Sequence, residues 1–173
     1  MDIRIFNNTE EIAQAASEII INKVKSTPDA ILGLATGASP VATYKKLIAA
    51  YNNGEVSFKD VKTFNLDEYC SIPATDKNSY YTFMHENLFN FIDVKEENVH
   101  VPDGNPENAE EYCASYDASI KEAGGIDIQV LGIGRNGHIG FNEPADEFTA
   151  GTYKVQLTES TIEANKIYFE SEN

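Results

Sequence analysis

The sequence predicts an α/β fold, an open parallel sheet with helices on both faces. Three observations carry this. Short apolar runs of strand length alternate with longer stretches of helical periodicity. One of the runs, "AILGLA", is nearly all apolar, as a strand buried on both faces is. Three irregular polar segments, 36–40, 65–71 and 134–145, follow such runs, where ligands of open α/β sheets bind.

In chain order, "IRIF" (3–6) reads as a short strand. Residues 9–25 carry Ile12, Ala16, Ile19, Ile20 and Val24 at helical spacing, and Asn8 with Glu11 three residues on makes a capping box. "AILGLA" (30–35) is apolar and too short for a helix, hence a buried strand. "PVATYKKLIAAY" (40–51) puts Tyr44, Leu47, Ile48 and Tyr51 on one helical face, and "VKTFNL" (61–66) is the next strand. The aromatic-rich 79–91 is a helix. The acidic 107–123 is another, stopped by Gly124-Gly125. "DIQVLGIG" (127–134) is a third core strand, "YKVQL" (153–157) a candidate fourth, and 160–169 opens like a helix. Strands alternating with helices make the sheet parallel and the architecture Rossmann-like. Length and the absence of a linker or repeat point to one domain over 1–173.

Charge and composition exclude several classes. With 28 acidic against 13 basic residues the net charge is −15, which disfavours nucleic acid and anionic membranes as partners. A small anionic substrate stays open, because charges beyond about 8 Å are screened at physiological salt and local donors decide. No apolar run is long enough for a membrane span, and the N-terminus lacks a basic head with an apolar core. Cys70 and Cys113 have no metal or redox spacing, so a reduced cytoplasmic chain is expected, with Cys70 a small buried hydrophobe.

The first polar segment, "TGAS", places Thr36, Gly37, Ala38 and Ser39 between a strand and a helix with Pro40 in its first turn. Free N–H groups and the positive helix end suit a phosphate. The other reading makes Ser39 an N-cap and Gly37 a turn residue. The second segment, "FNLDEYCSIP", ends a strand on Asp67 and Glu68. Asp67 is a candidate general base, or else a loop acid or helix cap. The third, "RNGHIGFNEPADEF", sets His138 between Asn136 and Glu143 among Gly134, Gly137 and Gly140. A carboxylate can hold an imidazole in one tautomer, so these residues suit proton transfer. The spacing is not that of a zinc motif, and no serine sits on a strand-to-helix elbow.

"LGLATGASP", "FNLDEY", "NSYYTFM" and "LGIGRNGHIGFNEP" together resemble the glucosamine-6-phosphate deaminase family, in order and spacing along nearly the whole chain. The resemblance implies conversion of glucosamine 6-phosphate to fructose 6-phosphate and ammonia in amino-sugar catabolism. By the resemblance, Asp67 moves a proton from C2 to C1, His138 opens the pyranose ring, and Glu143 and Asn136 support that histidine. Some relatives have aspartate where Asn136 stands, so ring opening here leans more on Glu143. "TGAS" falls on the family's phosphate loop. Neither metal nor organic cofactor is implied, and the partner is a small amino-sugar phosphate.

Two departures follow from the same resemblance. Family members continue past "STIEANKIYF" with further strands and helices, one carrying a phosphate-binding lysine, so the sheet is expected to be incomplete at its C-terminal end. Most also have an arginine at the position of Ile167, and the neighbouring Lys166 would point about 100° away on a helix. An incomplete sheet has an unpaired edge, which pairing into a homo-oligomer would cover. Two other readings stand beside the deaminase. A 6-phosphogluconolactonase-like hydrolase shares the glycine–histidine loop, but Glu143 and "LDEY" favour the deaminase. A non-catalytic sugar-phosphate binder needs no base, whereas Asp67, His138 and Glu143 are all present.

Overall fold

The computed structural model describes every residue except Arg135, Phe148, Ser160 and 163–173. Its regular elements are α1 (Thr9–Ser26), β1 (Ile31–Leu34), α2 (Val41–Asn52), β2 (Lys62–Asn65), α3 (Tyr80–Asn87), β3 (Val99–His100), α4 (Ala109–Ala123) and β4 (Ile128–Gln129). The strands form one parallel sheet in the order β3-β2-β1-β4, with Leu34 opposite Asn65 and Gly33 opposite Gln129.

Local chemistry explains the helix ends. The Asn8 side chain accepts from the Glu11 N–H at 2.9 Å and donates to the Glu11 carboxylate at 3.0 Å, closing the capping box of α1. Gly124, at φ +112°, ends α4 in the left-handed conformation that favours glycine. No side chain caps α2. Burial of Tyr44 and Leu47, about 1.5–3 kcal/mol each, outweighs a missing cap worth about 1.

All four residues of β1 are buried. Leu32 and Leu34 pack with Ile20, Val24, Tyr44, Leu47 and Met84 from α1, α2 and α3. Ile31 and Phe64 pack with Tyr116 of α4 on the opposite face. Helices therefore cover both faces, as expected. Tyr116 also secures the end of β2, its hydroxyl donating to the Asn65 carbonyl at 2.9 Å with the His100 carbonyl 3.2 Å away. That contact places the segment that follows, which carries Asp67.

Several expectations need correction. Residues 3–6 form no strand, and Ile3 and Ile5 are exposed, because apolar character makes a strand only where a partner backbone lies alongside. The run 127–134 pairs with β1 only around Ile128–Gln129. Beyond it Leu131 and Ile133 are exposed, since β1 ends at Leu34 and β4 lies at the sheet edge among the described residues. Residues 153–157 are not a strand. The buried stripe of α1 is Ala13, Ser17, Ile20 and Val24, with Ile12 and Ile19 exposed. The aromatic segment 79–91 breaks at Leu88, where φ −146° leaves the helical region, and a 3₁₀ turn follows at Phe89–Phe91. Strand β3 was not foreseen. It has two residues and is held in place by the stacking of Phe64 on His100, centroids 4.4 Å apart. The expected helix at 160–169 lies mostly outside the described residues, as do Lys166 and Ile167.

Candidate active site

The three polar segments meet past the carboxyl ends of the strands around a cavity of about 350 Å³. Thr36 enters it from β1, Asp67 from β2, Tyr80 from the start of α3, and Asn136, His138 and Phe141 from the glycine-rich loop after β4. Tyr69, Tyr80 and Phe141 tie these segments together, with ring centroids 4.8 Å (Tyr69–Tyr80), 5.1 Å (Tyr69–Phe141) and 5.8 Å (Tyr80–Phe141) apart.

Asp67 is partly buried, and its surroundings are mainly apolar and aromatic. Burial, and secondarily the negative charge of Glu68, push its carboxyl up from 3.8 to about 7. An acid with that value holds and releases a proton with comparable ease near neutrality. Burial, followed by the Asp67 charge, also pushes the Tyr80 phenol up, so it stays protonated. Its hydroxyl hydrogen-bonds with Tyr69 and Thr36.

Glu68 takes the other role foreseen for the acidic pair. Its Oε1 accepts from the Tyr69 and Tyr80 N–H groups at 2.8 and 2.9 Å, and Oε2 accepts from Tyr81 N–H at 3.0 Å. Glu68 is thus the cap of α3, and Asp67 is left to face the cavity. Nothing in the local sequence separates two adjacent carboxylates in this way, although "NSYY", with its capping serine, marks where the acceptor is needed.

His138 Nδ1 lies 2.7 Å from Asn136 Oδ1, and Asn136 Nδ2 donates to Glu143 Oε2 at 2.8 Å. Glu143 therefore reaches the imidazole by hydrogen bonds through Asn136, and its charge interacts with His138 as well. The tautomer follows from this chain. An ionised carboxylate only accepts, so Asn136 must turn its NH₂ to Glu143 and its carbonyl to His138, which puts the proton on Nδ1 and leaves Nε2 as an acceptor. Glu143 also accepts from the hydroxyls of Thr158, at 3.0 Å, and Thr161. The Thr161 bond, followed by the Asn136 bond, holds its carboxyl below the usual range. Both threonines escaped the sequence reading because they lie 15 and 18 residues from Glu143. The His138 ring lies against Gly134, where a Cβ would overlap the imidazole.

Of the "TGAS" residues Thr36 lines the cavity, while Gly37 (φ +85°), Ala38 and Ser39 run along the turn before α2. Ser39 is exposed and is not the N-cap, because Pro40 holds that position. The first N–H groups of α2 thus have no side-chain acceptor, and an anion there would meet free donors and the positive end of the helix dipole. No lysine or arginine is among the described residues lining the cavity. Cys70 is exposed rather than buried, because the loop turns outward once Glu68 is pinned to α3. Among the described residues no cluster of three His, Cys, Asp or Glu could hold a metal ion.

An open parallel sheet of this order, with a cavity past the carboxyl ends of its strands, places the chain among the Rossmann-like α/β proteins that bind a ligand there. The family model described as glucosamine-6-phosphate isomerases/6-phosphogluconolactonase matches residues 7–141, and the chain belongs to that family. Within it, the chain is 51% identical over 164 residues to the glucosamine-6-phosphate deaminase of Lysinibacillus sphaericus, covering 95% of this chain and 69% of that one. It is 51% identical over 171 residues to the enzyme of the same name from Clostridium botulinum strain Alaska E43, covering 99% and 69%. A solved monomeric glucosamine-6-phosphate deaminase superposes with a TM-score of 0.95 at 43% identity, over 99% of this chain and 71% of that one. The 6-phosphogluconolactonase from Thermotoga maritima superposes with a TM-score of 0.65 at 20% identity, covering 80% and 62%, a likeness of fold alone.

Proposed function

We propose that this chain is a glucosamine-6-phosphate deaminase, converting glucosamine 6-phosphate to fructose 6-phosphate and ammonia, with Asp67, His138, Asn136 and Glu143 as its proton-transfer groups. The observation that carries this is the meeting of Asp67, raised to about 7, and His138, with Nδ1 held by Asn136, in one cavity. A binding protein has no need of a desolvated carboxylate.

The steps are those the family resemblance implies for these residues. The substrate phosphate rests at Thr36–Ser39 against the first turn of α2. His138 Nε2 accepts the O1 proton and returns it to the ring oxygen, opening the ring. The imidazolium formed in between is supported by Asn136, itself aligned by Glu143. Asp67 then takes the C2 proton and delivers it to C1 through an enol-type intermediate, which leaves an imine at C2; a water adds to that carbon, supplies the ketone oxygen and releases ammonia. A carboxyl near 7 suits both halves of that transfer.

Residues 1–173 are read as one sugar-phosphate domain working in the cytoplasm. No described helix is long and apolar enough to cross a membrane, which agrees with that reading. The test incubates the purified chain separately with glucosamine 6-phosphate and 6-phosphogluconolactone, following ammonia, fructose 6-phosphate and lactone opening. Ammonia and the ketose in equal amounts support the proposal. Lactone opening alone would move the chain to the other branch of its family. Size-exclusion chromatography with light scattering tests the expected homo-oligomer against the monomeric state described for the 43% identical relative.

A further inference from the structure

We propose that Glu68 is a positioning residue for the proton transfer at Asp67: its carboxylate fastens the loop carrying Asp67 to the first turn of α3, which carries Tyr80 into the same cavity. The inference rests on the reading of Asp67 as the base.

The first turn of a helix leaves its N–H groups without intrahelical partners. In α3 each has an acceptor. Glu68 takes Tyr80 and Tyr81 at 2.9 and 3.0 Å, the Ser79 hydroxyl takes Thr82 at 3.0 Å, and the Ser79 carbonyl takes Phe83 at 3.0 Å. Ser79 alone would be an ordinary cap. Glu68 comes from 12 and 13 residues away, and its two carboxylate oxygens divide the donors, Oε1 also holding Tyr69 N–H. Because Asp67 is joined to Glu68 by one peptide bond, the clamp that ends α3 also sets where the Asp67 carboxyl lies.

The far side is closed as well. Ser71 N–H donates to the Gly104 carbonyl at 2.7 Å, and a Cβ on Gly104 would stand 3.4 Å from Glu68 Cγ and overlap the Tyr69 carbonyl. The loop is therefore held between α3 and the segment before α4. Glu68 from its own loop acts on Asp67; the Asp67 charge in turn acts on Tyr80 of α3 and Tyr116 of α4, and His138 lines the same cavity. Asp103, on the segment before α4, acts on Glu68. Both tyrosines are pushed up and stay neutral, so Glu68 is the like charge that opposes ionisation of Asp67.

The test compares Glu68→Gln and Glu68→Ala with the parent chain, using the Asp67 titration followed by carboxyl-carbon NMR, the pH profile of kcat, and KM. In Glu68→Gln the Asp67 midpoint should fall by about one pH unit, because a like charge is removed. In Glu68→Ala kcat should fall roughly 10- to 100-fold through misplacement of the base, with KM changed by less than about threefold. The glutamine variant should recover part of that loss. A parental midpoint and kcat in both variants overturn the proposal. So does unfolding of Glu68→Gln, which would make the residue a general stabiliser. If Glu68→Ala alone fails to fold, the midpoint in Glu68→Gln decides. Asp67→Asn is assayed alongside. Should it keep parental turnover while the Glu68 variants shift the midpoint, the reading of Asp67 as base fails and the positioning of its carboxyl stands.

Discussion

Gly140 and Asp67 leave no room for a side chain between them. A Cβ on Gly140 would stand 2.9 Å from Asp67 Oδ2 and 2.6 Å from Leu66 Cδ2, and Gly140 has φ +59°. This contact joins the glycine-rich loop of His138 to the loop of Asp67. Gly140→Ala meets both the backbone strain and the overlap. We expect a loss of about 1–3 kcal/mol in stability and a fall in kcat of at least roughly tenfold, as Asp67 is pushed from its place. Thermal melts and steady-state assays of this variant check it. Parental values in both would mean that the two loops stand apart in solution.

Asp67→Asn should reduce deamination by about 10²- to 10⁴-fold, the usual worth of a general base, while sugar-phosphate binding stays largely intact. In the parent chain kcat/KM should rise with pH and level off above about 7, where Asp67 becomes ionised. A profile flat from pH 5 to 8 would show that Asp67 is not the titrating base.

The same carboxyl has a stability signature. Its folded value, about 7, exceeds the ordinary 3.8, so the folded state holds the proton more tightly than the unfolded chain. That stabilisation is complete below about pH 4 and is lost as pH rises through 7. Above this the buried charge costs up to roughly 4 kcal/mol, at about 1.4 kcal/mol for each tenfold. Asparagine cannot ionise, so Asp67→Asn should be more stable than the parent by about 1–4 kcal/mol near pH 8.5, and the difference should vanish near pH 4. Denaturant midpoints at the two pH values measure this, and a gap independent of pH would rule out desolvation as its cause.

The chain Glu143–Asn136–His138 predicts non-additive loss. Removing Asn136 already disconnects Glu143 from the imidazole, so Asn136→Ala with Glu143→Ala should cost little more than Asn136→Ala alone. Additive losses in the double-mutant cycle would mean that Glu143 acts on substrate directly.

His138→Gln should harm turnover of the cyclic substrate more than proton exchange on an open-chain analogue, since ring opening is the step proposed for it. Solvent deuterium exchange at the carbon beside the carbonyl separates the two. Equal loss in both would place His138 in enolisation.

The elements legible in the sequence are those whose causes are local. Asn8 with Glu11 starts α1 and Gly124 ends α4 because each cap involves residues within one turn. Strands β1 and β2 were legible as apolar runs, but residues 3–6 and 131–134 carry the same signal and form no strand. A strand depends on a partner backbone that sequence periodicity does not contain. Strand β3 was missed for the converse reason, since its two residues are held by pairing to β2 and by the Phe64–His100 stack.

The candidate site divides in the same way. Residue types and glycine spacing were enough to put Asp67, His138, Asn136 and Glu143 on the page, because those chemistries need those side chains. Only the folded chain separated Asp67 from Glu68. Glu68 finds the N–H groups of Tyr80 and Tyr81, while Asp67 is left in a cavity walled by Tyr80, Phe141 and Leu66. Only the folded chain placed Asn136 between Glu143 and His138, and only it brought Gly140 onto Asp67. The reason is the range of the forces. Capping and turn preferences act over a few residues and are written locally. Desolvation of a carboxyl is set by every group that displaces water from it, and here the cavity is walled by residues drawn from Ala35 to Thr161.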